Sequence, residues 1–376
     1  MDGVSRPWRW PAVIGGAVAL AAVPVALGVL PVSGAPGSAA VLLTRIEAAR
    51  GHAYEGYAES TGYLALPVSG DFSSVTTLLG DRTQLRVWWA DDRTWRVDTL
   101  SPFGEDSLRS LPTGTWQWDF EDDRATVTSG DGQQPVRMPR AGDLIAPQLA
   151  ARLLSQATPE EVSPLPARRV AGRPADGLRL RPGDARSSIA AVDVWADRAS
   201  GIPVTVEVYA AGATRPGLST TFLDFNPARP AASDLDFSPP PGARIRSGAR
   251  PDLVGTLQRF STGVPPPSLL GYPRQPFVPF EQGVGIYGQG VTQVALAGLP
   301  ERRAAELRQQ LQIATGATKL AEGISVTVGP VGLLLTDPAV TAGQSWLVTG
   351  TLTPAGLAAA AHELAADASA VQQGVG

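Results

Sequence analysis

The chain has 376 residues, 43% hydrophobic and 18% charged, with a net charge of −4, two histidines and no cysteine. A mean hydropathy near zero is that of a globular protein and disfavours both disorder and a polytopic membrane protein, while the mixed charges leave no basic stripe for a nucleic acid partner. Without cysteine there is no disulfide, thiolate zinc site, cysteine nucleophile or lipid-modified N-terminal cysteine, and His52 and His362 alone give little imidazole for acid–base chemistry, so neither an enzyme nor a cofactor is expected.

The first element is apolar. No charged side chain occurs from Pro11 through Thr44, Arg6 and Arg9 precede that stretch, and its apolar part, residues 12–30, approaches the ~20 residues that span a bilayer as a helix. The positive-inside bias places residues 1–10 in the cytoplasm, residues 11–32 in the membrane and everything after Val32 outside the cell membrane. The competing reading is a cleaved secretory signal, for which Ser33-Gly34-Ala35 and Gly37-Ser38-Ala39 both offer small residues. The length of the apolar run favours the anchor, and both readings export the rest of the chain.

Residues 39–52 follow with helical spacing of Val41, Leu42, Ile46 and Ala49. The period then changes to two: Leu85, Val87 and Trp89; Trp95, Val97 and Thr99; and Trp116, Trp118 and Phe120 each alternate with polar or differently sized neighbours. Turn residues separate these runs, so residues 54–129 read as an antiparallel meander. A helix capped by Asp143 carries the apolar stripe Leu144, Ile145, Leu149, Leu153 and Leu154. Strands resume with Leu178 and Leu180, Val192 and Val194, Val204, Val206 and Val208, and residues 218–225, giving about ten strands in one large antiparallel sheet.

Proline density then marks residues 246–280 as a semi-rigid linker, and residues 281–368 form a small α+β unit. Its strands are expected at 291–297, 324–328, 332–336 and 345–349, with one helix beginning near Pro300 and another capped by Thr353 with Pro354 in its first position.

Motifs for chemistry are weak. Residues 283–288, Gly-Val-Gly-Ile-Tyr-Gly, match the dinucleotide fingerprint by letter, but a strand is expected after them instead of a helix, so they read as a glycine-rich turn. His362-Glu363 lacks the second histidine of a zincin helix, since Ala366 stands there. Six of the nine tryptophans fall on strands of the first sheet, where they fill an ordinary core or line an apolar cavity under a curved sheet. The candidate cavity residues are Leu64, Leu66, Leu85, Val87, Trp89, Trp95, Val97, Trp116, Trp118, Leu178, Leu180, Val192, Val194, Val204, Val206 and Val208. Periodicity alone leaves open which face of each strand is inward.

The order of motifs resembles a known family. It runs from Leu64-Ala65-Leu66-Pro67 through Leu85-Arg86-Val87-Trp88-Trp89 and Thr115-Trp116-Gln117-Trp118-Asp119 to Gly177-Leu178-Arg179-Leu180-Arg181-Pro182. Val192-Asp193-Val194-Trp195-Ala196-Asp197, Gly201-Ile202-Pro203 and Phe237-Ser238-Pro239-Pro240-Pro241-Gly242-Ala243 complete it. Over residues 39–245 this resembles the LolA-like superfamily of lipoprotein carriers and its RseB (MucB) relatives, periplasmic regulators of envelope stress. The resemblance implies an unclosed antiparallel β-barrel with helices over its concave face, binding a lipid or the acyl chain of a lipoprotein. It also implies that residues 281–368 contact the ectodomain of an anti-sigma factor. The anchor through residues 12–30 departs from the soluble family members and implies tethered lipid sensing, with a lipid carrier and a filled structural scaffold as the alternatives.

Overall fold

Alternation builds two meanders that meet edge to edge. The computed structural model describes residues 37–63, 80–101, 104–128, 139–248, 261–276 and 283–373, so the segment 12–30 and the candidates Leu64 and Leu66 lie outside the described residues. In the first meander β1 (Tyr54–Gly62), β2 (Arg82–Asp91), β3 (Thr94–Leu100), β4 (Glu105–Leu111), β5 (Gly114–Asp119) and β6 (Arg124–Thr128) pair in sequence. In the second, β7 (Val162–Val170), β8 (Arg173–Leu180), β9 (Ile189–Asp197), β10 (Pro203–Ala210) and β11 (Leu218–Asn226) do the same. β11 pairs antiparallel with β1, and β12 (Arg244–Ser247) pairs parallel with β6, giving one twelve-stranded sheet with β12 and β7 at its ends. The sheet is therefore mainly antiparallel and unclosed, as expected.

β4, β7 and β12 were not expected, the last because it runs into the stretch read as the proline-rich connection. β7 carries Pro164 and Pro166, which lack the N–H that a central strand must donate; β7 lies at the sheet edge, with a register shift between Leu165 and Arg168, and both features tolerate that omission. β4 alternates serine with charged residues and carries no apolar stripe to give it away. Helix α1 (Ala39–Ala48) ends short of His52 because Gly51 turns the chain at a φ of 75°. Asp143 caps a 3₁₀ turn, Ala141–Asp143, by accepting from the Arg140 N–H at 2.8 Å, and α2 (Ala146–Leu153) starts only afterwards with Pro147 in its first turn.

The second unit is a six-stranded antiparallel sheet in the order β15-β16-β20-β19-β18-β17, formed by Val284–Gln289, Thr292–Leu299, Ser345–Gly350, Val331–Thr336, Gly323–Val328 and Thr318–Lys319. A short 232–235 helix, α3 (Ala232–Leu235), belongs to the first unit; α4 (Glu301–Ile313) and α5 (Pro354–Gln373) belong to the second. Along β19, Leu333 and Leu335 pack with α4 while Leu334 packs with α5, so helices cover both faces. Thr353 caps α5 as expected, its hydroxyl accepting from the Gly356 N–H at 3.2 Å. The glycine-rich residues 284–289 are a strand, correcting the expected turn, and Gly288 sits at a φ of 112°, a conformation side chains avoid, just before the hairpin to β16.

The proline-rich connection carries a small hairpin, β13 (Ser268–Leu269) with β14 (Tyr272–Pro273), whose Leu269 and Leu270 are buried in the core beside α5. The loop between β8 and β9 reaches across to meet it. Arg186 donates to the Leu270 carbonyl at 2.7 Å and is held by Asp184 at 2.9 Å; the Tyr272 hydroxyl also donates to Asp184. Main-chain bonds complete the joint, from the Thr353 N–H to the Arg186 carbonyl at 2.8 Å and from the Ser188 N–H to the Thr351 carbonyl at 3.0 Å.

Replacing Arg186 with alanine is expected to split a single calorimetric unfolding transition into two, because the joint loses its bonds to the Leu270 carbonyl and to Asp184. A single unchanged transition would show that the remaining bonds, main-chain and those of Tyr272 and Ser188, suffice. The Asp184 carboxyl is pulled down to about 2, first by hydrogen bonds from Arg186 against the opposing effect of burial, with Tyr272 adding to the pull. A depressed folded pKa stabilises above the unfolded value near 3.9, so the joint's ionic contribution is complete above about pH 4 and is lost as pH falls towards 2.

Candidate functional site

Cross-strand register decides which candidate residues share a face. Directly paired residues lie on one side of a sheet, so Val87 with Val97, Trp89 with Trp95, Val206 with Val194 and Leu178, and Val208 with Val192 and Leu180 form rows. Ser60, opposite both Thr83 and Thr220, links the rows of the two meanders. Leu85, Val87, Trp89, Trp95, Val97, Leu178, Leu180, Val192, Val194, Val204, Val206 and Val208 thus come together on one apolar inner face.

Trp116 and Trp118 do not join them. Trp116 lies opposite Arg109, which lies opposite Arg96, and Trp118 lies opposite Ser107, so both indoles stand on the outer face. There they pack on Phe237, with ring centroids 5.6 and 6.1 Å away. The expectation that they face inward is corrected for a physical reason: α3 and Phe237 form a strap that gives the outer side of β3–β5 its own apolar cover. Arg109 is buried beneath the strap, donates to the Asp236 carbonyl at 2.8 Å and stacks on Phe237 at 4.7 Å. Burial, reinforced by Arg96, pushes its guanidinium pKa down to about 10.

Two helices lie over the inner face. Leu42, Leu43 and Ile46 of α1 and Leu144, Ile145, Leu149 and Leu154 around α2 are all at most 9% exposed and belong to the same cluster as the strand residues. Beneath them runs an aromatic group. Tyr54 stacks parallel to Trp89 at 6.0 Å, Trp89 stacks on Trp95 at 5.2 Å, and Phe222 meets Tyr54 edge-on at 5.9 Å. Burial raises the Tyr54 hydroxyl well above its ordinary pKa, with the Gln148 side chain pulling the other way.

The seam between α1 and α2 opens into a cleft of about 100 Å³. Ile46, Arg50 and His52 line one side, Pro147, Gln148 and Ala151 the other, and Tyr54 is among the residues between them, with Asp92 and Pro203 alongside. Ordinary small-molecule pockets are about 300–1,000 Å³, so this cleft admits a head group or a few methylenes, and the α1 and α2 side chains occupy the hollow beside it. Among the described residues no three His, Asp or Glu side chains converge as for a metal ion. His362 is exposed and pairs with Glu322 at 3.3 Å.

The cleft was not among the sequence candidates. Tyr54 and Gln148 are the residues that reasoning missed, and no periodic signal marks them, because the cleft exists only where the end of α1 comes to lie against α2.

No protein-family model matches the chain, and no curated protein matches it. Among solved structures, MucB in complex with MucA(peri) is 16% identical, covering 86% of this chain and 97% of its own, with a TM-score of 0.48. MucB alone is 17% identical, covering 87% and 98%, with a TM-score of 0.40. A LolA superfamily protein from Nitrosomonas europaea is 12% identical, covering 54% of this chain and 98% of its own, with a TM-score of 0.24.

Proposed function

We propose that this chain is an extracytoplasmic, membrane-tethered protein that binds a lipid or the acyl chain of a lipoprotein in the hollow of its large sheet and regulates an anti-sigma factor in envelope-stress signalling. The observation that carries the binding is the continuous apolar inner face from β3 to β8, covered by two helices of ten and eight residues. Neither helix belongs to the sheet's hydrogen-bonded ladders, so α1 and α2 can part without breaking a strand pairing. An acyl chain that replaces their side chains buries about 0.8 kcal/mol per methylene, on the order of 10 kcal/mol for a chain of about 16 carbons before the cost of moving the helices.

The tether is proposed for residues 12–30; among the described residues no helix is long and apolar enough to cross a membrane. The anti-sigma partner is proposed for the second unit on the order of motifs in the sequence; MucB itself is solved in complex with MucA(peri).

A second reading has its own observation. The hollow is occupied by the helices' side chains in this structure, which suits a filled scaffold. Native mass spectrometry of the protein purified from membranes separates the two. The binding reading expects a co-purified adduct of lipid mass, and its persistent absence, even after incubation with lipid, favours the scaffold.

A further inference from the structure

Two buried hydrogen-bond donors beneath the α1–α2 seam have no acceptor. The Tyr54 residue is 2% exposed and Trp89 5%, and among the described residues neither the Tyr54 O–H nor the Trp89 indole N–H has an acceptor within hydrogen-bond distance, the Gln148 side chain beside the hydroxyl acting on its oxygen as a donor. The two residues are directly paired across β1 and β2, with their rings stacked at 6.0 Å. An unsatisfied buried polar group is destabilising, and phenylalanine at position 54 would keep the ring stacking without that cost. Tyr54 also lines the cleft, so an open space a ligand could enter lies beside its ring.

The charges around the cleft narrow the ligand class. Arg50 is engaged with the Ala151 carbonyl at 3.3 Å, and the Asp92 carboxylate lies on the cleft and close enough to Tyr54 to disfavour a second anion there. One guanidinium and one carboxylate offset each other, so the rim selects a neutral acceptor over a free carboxylate. The cleft's volume, about 100 Å³, suits a carbonyl group and the first methylenes beside it.

We propose that this cleft binds the ester or amide carbonyl of an acylated ligand, the Tyr54 hydroxyl donating to the carbonyl oxygen while the acyl chain passes between α1 and α2 onto the inner face. The assignment rests on the acyl-binding reading above and adds its polar anchor. The carbonyl supplies the acceptor that Tyr54 lacks, while Trp89, stacked on Tyr54, holds the ring in place.

Calorimetric titration of the full chain with monopalmitoylglycerol and with palmitate, on wild type, Tyr54→Phe and Trp89→Phe, tests this. Wild type is expected to prefer the ester, and Tyr54→Phe to weaken ester binding about five- to tenfold while changing palmitate binding little. Without ligand, Tyr54→Phe is expected to melt higher than wild type, since it removes an unpaired buried hydroxyl. Equal ester affinity in wild type and Tyr54→Phe, or a lower melting temperature of the free variant, would overturn the anchor while leaving acyl binding standing. Wild type preferring palmitate would overturn the choice of a neutral carbonyl. No binding of either probe by wild type would overturn the acyl reading and the anchor with it. Trp89→Phe, expected to weaken the ester less than Tyr54→Phe, guards against a folding defect peculiar to position 54.

Discussion

Replacing Asp98 with alanine is expected to destabilise the chain by about 3–5 kcal/mol in denaturant titration at neutral pH. The Asp98 side chain is fully buried on the outer face of β3, where its carboxylate accepts from the Arg96 Nε at 2.8 Å. Arg96 stands directly opposite the buried Arg109 and over the Trp88 ring at 4.5 Å. With Asp98 gone, the two guanidiniums face each other under the strap, and the remaining acid beside them is Glu105, 3.4 Å from Arg96. The Glu105 carboxyl is raised above its ordinary pKa, by burial first and then by Asp98, so Asp98→Ala should also lower it, a shift that a side-chain NMR titration reads directly. A loss below about 1 kcal/mol would mean that the patch relaxes into solvent and that the strap does not enclose it.

The inner face gives the second large effect. Phe222→Ala is expected to cost about 3–5 kcal/mol, because the ring is 1% exposed and meets both Tyr54 and Phe225, the latter at 5.1 Å. Phe222→Leu should cost far less, since it keeps most of the volume, and the difference between the two separates packing from any ring-specific contact. Heat unfolding checks this as a drop of about 2–4 °C for each kcal/mol lost in a domain of this size. A Phe222→Ala variant as stable as wild type would show that the helices collapse into the vacated space and that the hollow is soft.

Much of the architecture was legible because alternation is a local signal. Leu85, Val87 and Trp89, or Val204, Val206 and Val208, announce a strand with one buried face whatever the rest of the chain does. Pro354 after Thr353 announces a helix start in the same way. What stayed hidden depends on distant partners. β7 was concealed by its prolines until its edge position was known, and β4 by its serines and charges. Trp116 and Trp118 have the same spacing as Trp95 and Val97, and only the register through β4 shows that they point the other way. The unpaired hydroxyl of Tyr54 and the Asp184–Arg186–Tyr272 joint are contacts between segments far apart in sequence, so no local pattern encodes them.

The division of tryptophans between the two faces also supplies the most direct test of acyl binding in the hollow. With the full chain labelled with fluorotryptophan and its ¹⁹F resonances assigned by single Trp→Phe variants, monopalmitoylglycerol is titrated in. Trp89 and Trp95, on the inner face, are predicted to shift, while Trp116 and Trp118, under the outer strap, stay in place. Unmoved Trp89 and Trp95 resonances at saturating lipid, or shifts confined to Trp116 and Trp118, would contradict the account.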